Sequence, residues 1–333
     1  MENLANAQVV ESSETTEANA NVEVKASATP ADSVQNKANA NSTLKKMKQL
    51  VSAAKLIEAG AHIGLNPRKW NPKMKPYIYA KRSNNHVIDV LKSLVYLNKA
   101  YTFIQELTKE NGRVLIVGTN GKMVKDLIKS EARRGQAFYI TQRWLGGTLT
   151  NFKNISKSIK KLNDNIKLQT TGEIEKYTKK EQIVIRRETE KLTKFYGGIR
   201  TMRKLPNALI ILDPDHDVNA IKEARKLNIP VVAFANTNAD PSIIDYIIPV
   251  NNHSIRSIAL ILGVLVDAMA EVRGEEVKFV GKADNEIVLP ETQSKRRYNG
   301  ETMTRATVNH RRSFNNRNFN RVEKPANEEE KGE

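Results

Sequence analysis

The chain has 333 residues, no cysteine, and 54 Lys plus Arg against 37 Asp plus Glu, a formal charge of +17 at pH 7. This composition excludes disulfide scaffolds and thiolate metal sites, and the absence of any run of about 18 uncharged apolar residues excludes a membrane span, so a soluble protein with no membrane partner is expected. The 39% hydrophobic content is low for a chain folded throughout, which predicts one or two domains flanked by unstructured segments.

Residues 1–44 carry a net charge of −4 and contain no aromatic residue and no arginine. They show no sustained period of 2 or 3.6, cannot bury enough surface to offset ordering entropy, and match neither a signal peptide nor a presequence, so a disordered N-terminal extension is expected. Residues 45–290 carry a net +18, so the positive excess sits in the segment with apolar periodicity. A folded body with a basic surface suits a polyanion.

Within that body, short apolar runs at 114–117, 137–140, 208–212, 231–235 and 247–250 read as buried parallel strands. Helical patterns at 121–134, 218–227 and 254–272 separate them, and the alternation predicts an α/β fold, a doubly wound sheet with helices on both faces. Between the second and third strands Phe152, Ile155, Ile159, Leu162 and Ile166 recur at steps of 3, 4, 3 and 4, the seam of a coiled coil. After a break at Thr170, Thr171 and Gly172, Ile185, Leu192 and Phe195 continue in a looser register. An antiparallel helical hairpin over 151–196, inserted between sheet segments 45–150 and 197–290, is expected; two helices lying flat on the sheet is the competing reading. Residues 291–333 carry a net +3, with Arg311, Arg312, Arg317 and Arg321 among Phe314, Phe319 and several Asn. They read as a basic, disordered C-terminal extension, either solvated or lying along RNA.

Two motifs invite an enzymatic reading and fail it. Gly118-Thr119-Asn120-Gly121-Lys122 follows a strand and opens a helix, but a phosphate loop of the Walker type needs four residues between its glycines and Ser or Thr after the lysine. Here two intervene and Met123 follows, so an ordinary strand-to-helix turn is expected, with Lys122 free to meet a backbone phosphate. Asp213-Pro214-Asp215-His216-Asp217 falls at the carboxyl end of a strand, where open α/β sheets bind ligands. Asp217 suits an N-cap and Asp213 a turn equally well, with a structural metal as the alternative. The remaining histidines, at 62, 86, 253 and 310, assemble no triad or metal set by spacing.

Three acid-free stretches carry a stronger signal. Arg68, Lys69, Lys73, Lys75, Lys81 and Arg82 are interleaved with Trp70, Tyr77 and Tyr79; Arg143, Lys153, Lys157, Lys160 and Lys161 follow beside Trp144; Lys191, Lys194, Arg200, Arg203 and Lys204 form the third group. Cations with planar side chains suit RNA, where phosphates set affinity and aromatic or guanidinium planes stack on exposed bases. A solvated basic face, with both tryptophans as core anchors, is the alternative.

The same stretches carry a family resemblance. Ala59-Gly60-Ala61-His62-Ile63-Gly64, Trp70-Asn71-Pro72-Lys73-Met74-Lys75-Pro76-Tyr77-Ile78 and Arg143-Trp144-Leu145-Gly146-Gly147-Thr148-Leu149-Thr150-Asn151-Phe152 closely resemble bacterial small-subunit ribosomal protein two. Leu205-Pro206-Asn207-Ala208, Thr237-Asn238-Ala239-Asp240-Pro241 and Ser254-Ile255-Arg256-Ser257-Ile258 continue the match in order, over about residues 48–273. The resemblance implies a flavodoxin-like parallel sheet with a coiled-coil hairpin, no catalysis, no cofactor and no small-molecule substrate. It implies binding to small-subunit rRNA between head and body, beside neighbouring ribosomal proteins, on the cytoplasmic ribosome. Leu65 stands where the family often has a second Gly-His pair, Asn236 where it has Asp, Val250 where it usually has Gly, and Asn252 with His253 where it has an acidic pair. No metal site is therefore expected.

Overall fold

A computed structural model describes residues 50–119 and 121–290, apart from the Lys122 side chain. The expected extensions, 1–44 and 291–333, lie outside the described residues, as does the expected phosphate contact of Lys122.

Strands β3 (Val114–Val117), β5 (Ala208–Ile211) and β6 (Val231–Ala235) are built wholly from apolar residues, and every one of their residues is buried. Burial on both faces is what a parallel sheet covered by helices requires. With β4 (Phe138–Ile140) and β7 (Tyr246–Pro249) they form a five-stranded parallel sheet in the order β4-β3-β5-β6-β7. Chain direction across the sheet reverses between β3 and β5, the flavodoxin-like order, and the crevice at the carboxyl ends of these two strands is the topological switch point. The expected strands thus form, with ends displaced by one residue at 137, 212 and 246–250.

Side chains alternate across the sheet, as the strand period of 2 demands. Leu115, Val117, Leu209, Ile211, Val231, Ala233 and Ala235 share one core cluster with Ala220, Ile221 and Ala224 of α6 (Val218–Lys226). The same cluster takes in Trp144 and Leu149 from the loop after β4, Met202, and Ile155 and Ile159 from α4 (Phe152–Thr170). Helices α2 (Val90–Lys109), α3 (Lys122–Arg134) and α7 (Ile255–Arg273) form the other layer, with α7 packed against both α2 and α3. Helix α7 is buried along nearly its whole length, and Ser254 caps its start by accepting from the Ser257 amide at 3.4 Å.

Two elements escape the expectation drawn from the apolar runs. Helix α2 starts at Asp89, whose side chain accepts from the Leu91 amide at 3.1 Å. Its buried face includes Ser93, Asn98 and Thr108, so the apolar period is diluted. Before it, β1 (Ile78–Arg82) and β2 (Asn85–Ile88) pair antiparallel as a largely exposed hairpin, preceded by the short helix α1 (Ala53–Glu58).

Helices α4 and α5 (Lys179–Tyr196) are consecutive and packed on each other, joined through Gly172 and a 3-10 turn at Glu173–Lys176. Helix α5 opens with a capping box between Thr178 and Glu181. Gln169 Nε2 donates to Thr189 Oγ1 at 3.1 Å across the pair. Leu162 is fully buried, whereas Ile155 and Ile159 pack into the sheet-face core, so the first two turns of α4 belong to the body.

Candidate nucleic-acid interface

All sixteen cations singled out in the three acid-free stretches are exposed: Arg68, Lys69, Lys73, Lys75, Lys81, Arg82, Arg143, Lys153, Lys157, Lys160, Lys161, Lys191, Lys194, Arg200, Arg203 and Lys204. They come from six places, Arg143 from the loop after β4 and Lys191 and Lys194 from α5 among them. The first four lie on two 3-10 turns, Pro67–Lys69 and Pro72–Tyr77, each started by an Asn whose side chain accepts the amide two residues on. Lys81 and Arg82 end β1. Lys153, Lys157, Lys160 and Lys161 follow the i, i+4, i+7, i+8 spacing of one helical face on α4. Arg200, Arg203 and Lys204 stand on the turn that leads out of α5 into β5.

Two of these charges are matched by acids distant in sequence. Lys73 Nζ lies 2.9 Å from Asp240 Oδ2 and also donates to Ser242 Oγ at 3.0 Å. Hydrogen bonds from Ser242 and Lys73 hold the Asp240 carboxyl down at about 2, so this pair is ionic at every physiological pH. Lys161 pairs with Glu188 of α5. Freedom from acids in the local sequence therefore does not mean freedom from acids in space.

The tryptophans separate. Trp70 is half-buried, its ring 5.2 Å from that of His86 and tilted by 43°. Trp144 is a core anchor: it is 7% exposed, and its indole N–H donates to Glu223 Oε1 at 3.0 Å. Glu223 also accepts the amides of Gly147 at 2.8 Å, Leu149 at 3.0 Å and Thr150 at 3.2 Å. Burial pushes this carboxyl up, but the hydrogen bonds from Trp144 and the loop amides together outweigh it and leave it below its usual value. One ionised carboxylate on α6 thus ties down the loop that carries Arg143 and delivers the chain into α4.

The turn at 197–204 is surrounded by three open clefts of about 470, 560 and 670 Å³, and no Asp or Glu lines any of them. Besides Arg200, Arg203, Lys204 and Lys160, their walls include Arg133, Arg113 and Lys194. Arg133 and Arg113 escaped the sequence reading because each stands beside acids or alone, and only the packing of the turn on β4 brings them here. A lining residue common to two clefts is Gly198, where a Cβ would overlap the Tyr139 carbonyl oxygen, so only glycine permits this approach.

At the switch point Thr119 Oγ1 lies 2.6 Å from His216 Nδ1 and donates to Asp217 Oδ1 at 3.1 Å. Asp217 stands at the N-cap of α6, yet its side chain makes no capping bond; it is spent on Thr119 instead, which corrects the expected cap. Asp213 does serve the turn, accepting the His216 amide at 3.4 Å. Burial raises the carboxyls of Asp215 and Asp217, with the Asp213 charge adding to both. Among the described residues no group of three or more His, Asp or Glu is disposed to hold a metal. Asn236 and Asn252, at positions where the resembling family has acids, are buried and bonded to each other at 3.0 Å. No described helix is long and apolar enough to cross a membrane.

A family model described as Ribosomal protein S2 matches residues 56–272. The protein named small ribosomal subunit protein uS2 from Ureaplasma urealyticum serovar 10 is 62% identical over 302 residues, covering 89% of this chain and 86% of that relative. Its counterpart from Ureaplasma parvum serovar 3 is 60% identical over 320 residues, 95% and 90% of the two chains. A protein of the same name from Mycoplasmoides gallisepticum is 44% identical over 316 residues, 92% and 94% of the two. With the flavodoxin-like strand order, the exposed cations and this extent of identity, the chain belongs to the ribosomal protein S2 family, whose members are structural, non-enzymatic ribosomal components.

Proposed function

We propose that the chain is a structural component of the small ribosomal subunit in the cytoplasm, that it binds rRNA between head and body, and that it touches neighbouring ribosomal proteins. The observation that carries this reading is the exposure of all sixteen acid-free-stretch cations on a body of net charge +18. Affinity then comes from phosphate neutralisation and shape, with half-buried Trp70 and Tyr77 and exposed Tyr79 as the aromatics placed among the first group of cations to meet a base. The layout that goes with it is a sheet body of residues 45–150 and 197–290 with 151–196 as a coiled-coil insertion, rooted in the body through Ile155 and Ile159. The base of that arm meets rRNA through Lys153, Lys157 and Lys160. Its tip, with Glu173, Glu175 and Glu181 beside Lys176, Lys179 and Lys180, offers the mixed charge of a protein contact.

Sedimentation of cell extract through a moderate-salt gradient tests the assignment. Co-migration with small subunits is the expected result, and quantitative recovery in the ribosome-free fraction overturns it.

A further inference from the structure

The three clefts around the turn at 197–204 are contiguous. Arg133, Tyr139, Gly197 and Gly198 line two of them together, while Arg200 and Arg203 each join one of these to the third. Arg133, Lys194, Arg200, Arg203 and Lys204 make no ion pair among the described residues, although Lys73 and Lys161 elsewhere have recruited acids. Like charge is crowded beside them: the Arg273 guanidinium, which donates to the Gly135 carbonyl, is pushed below its usual value by burial and then by the neighbouring Arg113, against a smaller opposing pull from Glu275. Repelling cations left without acids on an open surface are stabilised when an external polyanion supplies the charge.

Helix C-termini account for part of the pattern. Arg133 lies in the last turn of α3 and Lys194 in that of α5, where a cation complements the macrodipole. Arg113, Arg200, Arg203 and Lys204 lie outside any α-helix, so that explanation does not reach them. The cleft floor is made by the Gly197-Gly198 backbone and the half-buried Tyr139, with no large exposed aromatic on which a base could stack. Such a floor admits a sugar–phosphate chain and offers little to read a base.

We propose that Arg113, Arg133 and Lys194 join Arg200, Arg203 and Lys204 in one channel around the edge of β4 that tracks an RNA phosphate backbone without reading sequence. The proposal rests on the rRNA reading above and adds to it a site and its mode of contact.

The test is amine footprinting of the full chain with and without small-subunit rRNA, paired with salt titrations of the double variant Arg133→Ala, Lys194→Ala. Protection of Lys194 and Lys204 in the complex is expected. The slope of log K against log salt should become shallower by roughly 1.4 to 1.8, two contacts at about 0.7 to 0.9 each. The charge-keeping pair Arg133→Lys, Lys194→Arg should retain the original slope, and the footprint needs no substitution, so a variant that fails to fold leaves the test intact. If the wild-type chain binds rRNA while both lysines stay reactive and the slope is unchanged, this channel is wrong and the rRNA reading stands. Cross-links from Lys194 and Lys204 to an acidic protein segment in assembled subunits would overturn the channel as well. Absence of rRNA binding by the wild-type chain would remove the reading beneath it.

Discussion

The carboxylate of Glu223 on α6 and the indole of Trp144, 79 residues earlier, meet at 3.0 Å inside the body, and the same carboxylate gathers the loop amides of Gly147, Leu149 and Thr150. A helix residue here does for a loop what a bound anion does in a phosphate site. It converges backbone N–H groups on one negative centre.

Removing that centre should be costly. Glu223→Ala leaves buried donors without acceptors, each unsatisfied group costing roughly 1 to 3 kcal/mol, so a total loss of about 3 kcal/mol or more is expected from urea unfolding. Glu223→Gln keeps the volume but can accept on one oxygen only and should fall between. A loss under about 1 kcal/mol for the alanine variant would mean that the loop is held by Trp144 and Leu149 packing alone.

The cations of the first 3-10 turns should not be equivalent. Lys73 is already matched by Asp240, whereas Arg68 and Lys69 stand exposed without an ion pair among the described residues. Arg68→Ala and Lys69→Ala should each flatten the salt dependence of rRNA binding by roughly 0.7 to 0.9, and Lys73→Ala by much less. Stability should barely respond to Lys73→Ala, because exposed ion pairs contribute about 1 kcal/mol or less. Equal slopes for all three substitutions would show that the Lys73 pair opens on binding.

Acid should weaken the fold through His86. Its ring is buried with both nitrogens unpartnered in the described structure, and burial, then the nearby Lys81 charge, keep its pKa below the usual 6.5. The unfolded chain therefore takes up this proton first, so stability present at pH 7 is lost as pH falls below about 6.5. Asp215 and Asp217 act with the opposite sign: their raised carboxyls favour the folded state as they protonate in more acidic solution. Unfolding midpoints measured from pH 7.5 to 5.5 should fall for the wild type and fall less steeply for His86→Gln. Parallel curves would assign the effect to another group.

Shortening the arm should spare the body. Deletion of 167–180 with a short Gly-containing closure removes the 3-10 turn and the start of α5 but keeps Ile155, Ile159 and Leu162. Cooperative unfolding of the sheet and most rRNA affinity should persist. Collapse of the whole fold would make the arm part of the body, and loss of rRNA binding with the fold intact would place the working surface at the tip.

What could be read from the chain and what could not divide along physical lines. Val114–Val117 and Ile255–Arg273 were legible because burial on all sides leaves a continuous apolar run, whose edges alone are uncertain. Helix α2 was missed because Ser93, Asn98 and Thr108 turn inward, Asn98 donating back to Leu94 and Thr108 to Ile104, while Ser93 reaches the Pro249 carbonyl of β7. The hairpin β1–β2 was missed because most of its residues face water. In the interface, exposure of the cations followed from composition, but their partners did not: Lys73 meets Asp240 across 167 positions, and Arg133 joins Arg203 only through the folded edge of the sheet.

The approach of Gly198 to Tyr139 has a consequence for solubility. Strand β4 ends the sheet, and an uncovered end strand offers a row of free amides and carbonyls on which a second chain can nucleate. The turn Gly197–Ile199 lies along that border, its backbone against the Tyr139 carbonyl, and the arginines beside it surround the border with like charge. Like charge on both borders disfavours the approach of a second copy of the chain. The edge is thus guarded twice, by a turn that occupies it and by charge that repels its like.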